Sequence, residues 1–328
     1  MSNKPMRKRL AWFCVILILV LVVMVGGLRI LESTVFFGDG DIQIDRVSKT
    51  ITRNGVEYFP RQDITVIMLL GTDQRGPVVA SEYYMNNSKC DAVALLILDH
   101  TEEEYTILSL NRDTMVEMPV LGIGGKQAGT LYGQLALSHT YGDGLEESCE
   151  NTRTTISNML YGITIDHYVA LNMEGISIVN DAVGGVTVNV KDDFSMVDPS
   201  ITKGELTLNG EQALNFVQTR LKVGDQLNLS RMERQEEYMH GLIRAFRDQY
   251  EGNETFAVDL YEQISEYMVT DCSVNVVSGF LERCTDYTMT EIVTPEGRNI
   301  RGEVYYEFYL KEDKLDDLVL RLFYARKK

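Results

Sequence analysis

The chain has 328 residues, 45% hydrophobic and 24% charged, with 48 Asp and Glu against 31 Lys and Arg and a net charge of −17. That length and apolar content exclude a disordered chain and suffice for a full core, in one large domain or two modest ones. The acidic balance, with its cations scattered, excludes nucleic acid as a partner, because a phosphate backbone demands a basic face.

Lys4, Arg7, Lys8 and Arg9 precede Ala11 to Leu28, a run without charge. A run of that length with a positive inner flank predicts a cytoplasmic tail (1–10), one transmembrane helix (11–28) and an extracytoplasmic body. A cleaved signal peptide is the rival reading, but its apolar region usually spans about 7–15 residues, so the longer run favours a retained anchor. Residues 29–62 form a polar connector carrying Gly38, Gly40, Gly55 and Pro60, with a short hairpin predicted at Arg53-Asn54-Gly55. The remainder, 63–325, is expected to be one domain. Three apolar runs open it, Ile64 to Leu70, Ala92 to Leu98 and Tyr105 to Leu110, followed by a Gly-rich stretch from Leu121 to Gly133. Helical spacing then marks Glu146 to Tyr161, a strand Ile165 to Leu171, a helix Met173 to Val183 and a strand Val186 to Val190. Asn209-Gly210 opens a helix ending near Arg220, and a long helix begins near Leu229. Two further helices, a strand pair at Met289 to Val293 and Glu303 to Leu310, and a last helix from Asp313 to Phe323 complete the chain. The alternation predicts an α/β fold, a mixed central sheet with helices on both sides. Cys14 falls in the anchor; Cys90, Cys149, Cys272 and Cys284 lie outside it, as disulfides or as four separate thiols, and no Cys-x-x-Cys is present.

Several chemistries are absent from the sequence. There is no Gly-x-Ser-x-Gly, His-Glu-x-x-His, Walker loop or dinucleotide fingerprint, and His100, His139, His167 and His240 are dispersed, as structural histidines are. Arginines beside carboxylates at the ends of apolar runs remain. If the three runs are neighbouring strands, Asp73, Arg75, Asp91 and Arg112 meet at one sheet edge, where open α/β sheets bind ligands. Guanidinium groups there suit a phosphate, and two carboxylates suit magnesium shared with it. Arg220 lies further on, and Arg231, Arg234 and Gln235 fall in the first turns of the long helix, whose N-terminus adds positive potential. Each of these has a plainer reading: Asp73 as a turn residue, Asp91 as a cap, Arg112-Asp113 as a surface ion pair worth under about 1 kcal/mol.

Taken in order, the segments Val66 to Arg75, Cys90-Asp91-Ala92-Val93, Leu108 to Thr114, Ile163 to Val169, Asp181 to Val186, Leu208 to Leu214 and Arg231-Met232-Glu233-Arg234-Gln235 resemble the LytR-CpsA-Psr family. The resemblance covers about Ile64 to Phe323. It implies transfer of an anionic glycopolymer from an undecaprenyl-pyrophosphate carrier to peptidoglycan at the outer membrane face, by a phosphotransferase or ligase. It further implies that Asp73 and Asp91 bind magnesium and that Arg112, Arg220, Arg231 and Gln235 act at the pyrophosphate, with Arg75 and Arg234 as further substrate contacts. Apolar residues of the sheet and overlying helices would house the polyprenyl tail. In this reading a peptidoglycan hydroxyl attacks the anomeric carbon of the sugar and the pyrophosphate leaves. Three positions depart from the family pattern toward neutrality: Gln134, Gln218 and Asn228, with Asp225 close enough to stand in for the last. Those departures leave two alternatives, a lipid-glycan binding protein without turnover and a lipid-pyrophosphate hydrolase.

Overall fold

The structure, a computed structural model, describes residues 34–36, 42–45, 47–83, 85–122, 124–251, 253 and 255–327. The expected transmembrane run lies outside them, and no helix among the described residues is long and apolar enough to cross a membrane. The chain divides into two compact units, one of residues up to 61 together with 323 onward, the other of 62–322.

In the first unit, β1 (Thr34–Phe36), β2 (Ile42–Asp45), β3 (Thr50–Arg53) and β4 (Val56–Pro60) form an antiparallel meander. The predicted hairpin is there: Asn54 and Gly55 both take positive φ, 53° and 74°, as the tightest two-residue hairpin turn requires.

The second unit contains, in order, β5 (Ile64–Thr72), β6 (Cys90–Asp99), β7 (Glu104–Leu110), β8 (Met115–Leu121), β9 (Gln127–Gln134), α1 (Glu146–Met159) and β10 (His167–Leu171). There follow α2 (Met173–Ala182), β11 (Val186–Val190), β12 (Gly204–Leu208), α3 (Gly210–Gln218), α4 (Asn228–Tyr250), α5 (Phe256–Ile264) and β13 (Met268–Thr270). The last elements are α6 (Val274–Asp286), β14 (Thr288–Val293), β15 (Gly297–Arg301), β16 (Tyr306–Leu310) and α7 (Glu312–Phe323). A final strand, β17 (Tyr324–Arg326), returns to the first unit and pairs with β4.

The central sheet is mixed, with strand order β13-β10-β5-β6-β7-β14. The three apolar runs are its antiparallel middle, while β10 and β14 add in parallel to β5 and β7. The Gly-rich stretch is largely strand: β9 closes an antiparallel ribbon on β8, its turn made by Gly124 and Gly125 at positive φ. One expectation fails on pairing: the strand pair near the C-terminus does not form, because β14 joins the central sheet beside β7 whereas β16 pairs with β15.

Register explains where the sheet leaves room. On one face Ile67, Leu96 and Ile107 line up and pack beneath Met239, Ile243 and Phe280 from α4 and α6. Two pairs further toward the C-terminus of β5, the same face carries Leu69, Ala94 and Ser109, then Gly71 and Ala92. Small side chains there cannot fill the space under a helix, so a cavity of about 380 Å³ opens, floored by Gly71, Ala92, Ala94 and Ser109 and roofed by Leu214, Met239 and Leu242. A second apolar cavity of about 230 Å³ continues under α4 and α6 and shares Leu69, Val169 and Leu242 with the first. The opposite face, with Met68, Leu95 and Leu108 in register, is also fully buried, as a sheet covered on both sides demands.

Candidate functional site: a charged cluster at the mouth of an apolar cavity

A β-bulge builds the site. Gly71 pairs with Ala92 and Thr72 with Cys90, so Asp91 is the extra residue, turned out of the ladder as bulges turn side chains near active sites. Beside it, Asp73 continues the pairing: its N–H donates to the Lys89 carbonyl (3.0 Å) and its carboxylate accepts from the Lys89 N–H (2.7 Å). Asp91 accepts from Arg112 through one carboxylate oxygen, faces Arg231 Nη1 through the other (3.4 Å), and accepts from Arg231 Nη2 through its backbone carbonyl (3.0 Å).

Arg112 arrives on the turn after β7, where the side chain of Asn111 accepts from the Asp113 N–H (3.0 Å). Asp113 is 1% exposed and faces Arg112 Nε at 3.5 Å and Arg220 at 3.7 Å, while accepting from Gln134 Nε2 at 3.0 Å. The surface-ion-pair reading of Arg112-Asp113 is therefore overturned: this carboxylate is an internal counterion. Arg231 enters from the first turn of α4, is 2% exposed, and donates to the side chain of Asn228 (2.6 Å), which in turn donates to Asn111 (2.7 Å).

Three guanidinium groups thus gather around Asp91 and Asp113, with Arg231 and Asp113 buried and Arg112, Arg220 and Asp91 partly exposed. Burial, and next the charge of Arg112, pull Arg231 down to about 9; burial also lowers Arg112, with Asp113 opposing and Arg220 adding to it. Crowded, desolvated cations are held at a cost that a bound anion relieves. Arg231 Nε and Asn111 Nδ2 are buried with no hydrogen-bond partner, two donors that suit such an anion. Asp91 also lines the 380 Å³ cavity, together with Gln218 and Gln235, so the charged cluster and the apolar volume meet at one carboxylate.

The remaining expected residues are placed differently. Gln235 sits at the cavity wall and donates to the Val217 carbonyl (3.1 Å). Arg234 is spent elsewhere: it donates to the carbonyls of Phe216 (3.2 Å) and Thr219 and to Asp192 (2.8 Å), closing the C-terminus of α3. Arg75 is exposed on the loop beyond Asp73. Asp225 does not stand in for Asn228, since its carboxylate takes Ser230 Oγ and the Leu227 N–H, contacts that lower its pKa. Sequence reasoning missed Asp113, Asn111, and the way Gln134 and Asn228 are wired. The signal was present in the pairing of Asn111 and Asp113 around Arg112, but only folding shows it buried. Cys90, Cys149, Cys272 and Cys284 are free thiols.

For magnesium, the test is the donor set. Asp73 and Asp91 flank a single bulge and are both hard oxygen donors, and Asp91 already lies against the arginines that would hold a phosphate. Those residues fit a cation shared with a phosphate oxygen.

The LytR_cpsA_psr family model matches residues 39–321. Among curated relatives, the polyisoprenyl-teichoic acid–peptidoglycan teichoic acid transferase TagU of Oceanobacillus iheyensis is 26% identical over 252 residues, 74% of this chain and 71% of that protein. The TagU of Halalkalibacterium halodurans is 27% identical over 315 residues, 94% of this chain and 95% of its own. Among solved structures, Bacillus subtilis TagT superposes with a TM-score of 0.58 at 24% identity, over 80% of this chain and 90% of that one. The protein gbs0355 of Streptococcus agalactiae gives 0.65 at 19%, over 79% and 86%. With the motif order, the mixed sheet and a family match over most of its length, this chain belongs to the LytR_cpsA_psr family.

Proposed function

We propose that this protein transfers an anionic, teichoic-acid-like glycopolymer from a polyprenyl-pyrophosphate carrier to peptidoglycan, anchored by residues 11–28 with its body outside the membrane. The observation that carries the reading is the junction at Asp91, where an apolar cavity meets a cluster of arginines. Only an amphiphile with an anionic head uses both halves. The relatives named TagU supply the substrate class.

In mechanism, Arg112, Arg220 and Arg231 hold the pyrophosphate oxygens, with Asp113 keeping the arginines in place. Asp73 and Asp91 would hold magnesium, which would supply further charge neutralisation. A peptidoglycan hydroxyl then attacks the phosphorus that bears the glycan: its oxygen–phosphorus bond forms, the bond to the lipid phosphate breaks, and the hydroxyl proton passes to solvent. Attack at phosphorus suits this site better than attack at the anomeric carbon, because the arginines would converge on the phosphate oxygens and the buried Asp113 is committed to Arg112 and Arg220. Arginines aimed at the leaving phosphate stabilise charge where it develops.

The test is full-length protein in detergent with a lipid-linked donor, nascent peptidoglycan and magnesium. Glycan-bearing peptidoglycan with release of polyprenyl phosphate is expected; released polyprenyl pyrophosphate would move the attack to the anomeric carbon. A binding protein without turnover is the second reading, favoured by the neutral Gln134 and Asn228 within the network. Stoichiometric lipid capture with no transferred glycan would establish it.

A further inference from the structure

At the other end of the central sheet, three potential metal ligands converge. Val169 pairs with Thr270 across β10 and β13. Continuing that antiparallel register brings His167 opposite Cys272, with Asp271 between them. His167, Asp271 and Cys272 offer ligand atoms that all lie within 4.8 Å of one another. His167 Nδ1 is 3.4 Å from Asp271 Oδ1, and Cys272 Sγ is 3.5 Å from the same oxygen. Tetrahedral zinc with bonds of about 2.0–2.3 Å separates its ligand atoms by roughly 3.3–3.8 Å, which spans both distances.

A second observation points the same way. His167 Nδ1 is buried and makes no hydrogen bond, although it faces the Asp271 carboxylate. In the tautomer protonated at Nε2, the Nδ1 lone pair is available to an ion. The ligands are also held from behind. Asp271 accepts from the Tyr168 N–H at 3.0 Å on Oδ1 and from Arg153 at 3.3 Å on Oδ2, the Cys272 N–H donates to Thr270 Oγ1 at 3.1 Å, and the His167 ring packs on Phe280. Supports of this kind fix ligand orientation in metal sites. From this geometry we infer that His167, Asp271 and Cys272 form a zinc site, distinct from the Asp73–Asp91 pair, that ties the three-residue edge strand β13 to β10. One thiolate, one imidazole and one carboxylate favour zinc over magnesium or calcium, and the fourth position is left to water. Binding releases the Cys272 thiol proton to solvent.

Cobalt(II), which takes zinc's place and reports a bound thiolate by a charge-transfer absorption, is the probe. Full-length protein in detergent, stripped with chelator, should develop this band, saturate near one cobalt per chain and lose it on adding zinc. Cys272→Ser should abolish the band, and His167→Gln and Asp271→Asn should weaken cobalt binding at least tenfold, while Asp73→Ala keeps both band and affinity. Zinc should also raise the apparent melting temperature of the wild type and leave that of His167→Gln unmoved. No thiolate band in the wild type, or an undiminished band in either Cys272→Ser or His167→Gln, overturns the site. His167 is half-exposed, so its variant still decides the question if the buried Cys272 substitution impairs folding.

Discussion

The charged cluster and the apolar cavity meet at Asp91 yet are built in opposite ways. The cavity exists because many residues are small or merely apolar; Gly71, Ala92, Ala94 and Ser109 withhold volume, and no one of them is decisive. The cluster rests on a handful of buried and half-buried charges, each the partner of another. Energy lost by truncating a buried charge comes mostly from the partner left behind, whereas an apolar wall loses or gains by volume. The two halves should therefore fail differently.

The sharpest break is at the internal counterion. Asp113→Ala leaves Arg112 and Arg220 without their buried carboxylate and should cost about 3–5 kcal/mol of stability, read by chemical denaturation. A loss below about 1 kcal/mol would show the arginines to be solvated after all. Next comes Arg231→Ala, which should weaken polyprenyl-pyrophosphate binding at least tenfold by calorimetry, since truncating a buried charge contact costs about 2–5 kcal/mol. Unchanged affinity would move the anion elsewhere.

The neutral departures sharpen the contrast further. Gln218 lines the cavity near Asp91, so Gln218→Arg adds a cation aimed at the phosphate and should raise the transfer rate about tenfold or more with little change in lipid affinity. Asn228→Asp should behave otherwise: Asn228 donates to the side-chain oxygen of Asn111, and a carboxylate there would face an acceptor, with a loss of about 1–3 kcal/mol in stability. Equal gains from both substitutions would contradict the wiring described for Asn228.

On the apolar side, Ala94→Phe should reduce affinity for a long polyprenyl pyrophosphate about tenfold while sparing a short-chain analogue, because only the tail needs the volume. Parallel losses for both ligands would place the cavity outside the binding path. The smallest effect concerns His139, buried behind the cluster with Nδ1 on the Ser88 carbonyl (3.0 Å). Burial lowers its pKa from 6.5, so below that pH the unfolded chain binds a proton that the folded one does not. Stability present above 6.5 is lost as pH falls. A His139→Gln variant should flatten that acid dependence in melting experiments.

Much of this was legible from the chain itself. Alternating apolar runs, the Asn-Gly hairpin, the Asn209 cap and the long amphipathic helix are local signals, because period and turn chemistry act within a few residues. The convergence of Asp73, Asp91 and Arg112 followed from three adjacent strands alone. What the sequence did not carry is non-local: the bulge that expels Asp91, the burial of Asp113, the diversion of Arg234 to the end of α3, the pairing of β14 with β7 rather than β16, and the approach of His167 to Cys272. Each depends on which strand or helix lies alongside, a choice made by the packing of the whole sheet, so only the tertiary structure decided which arginines gather at Asp91 and Asp113 and which close a helix.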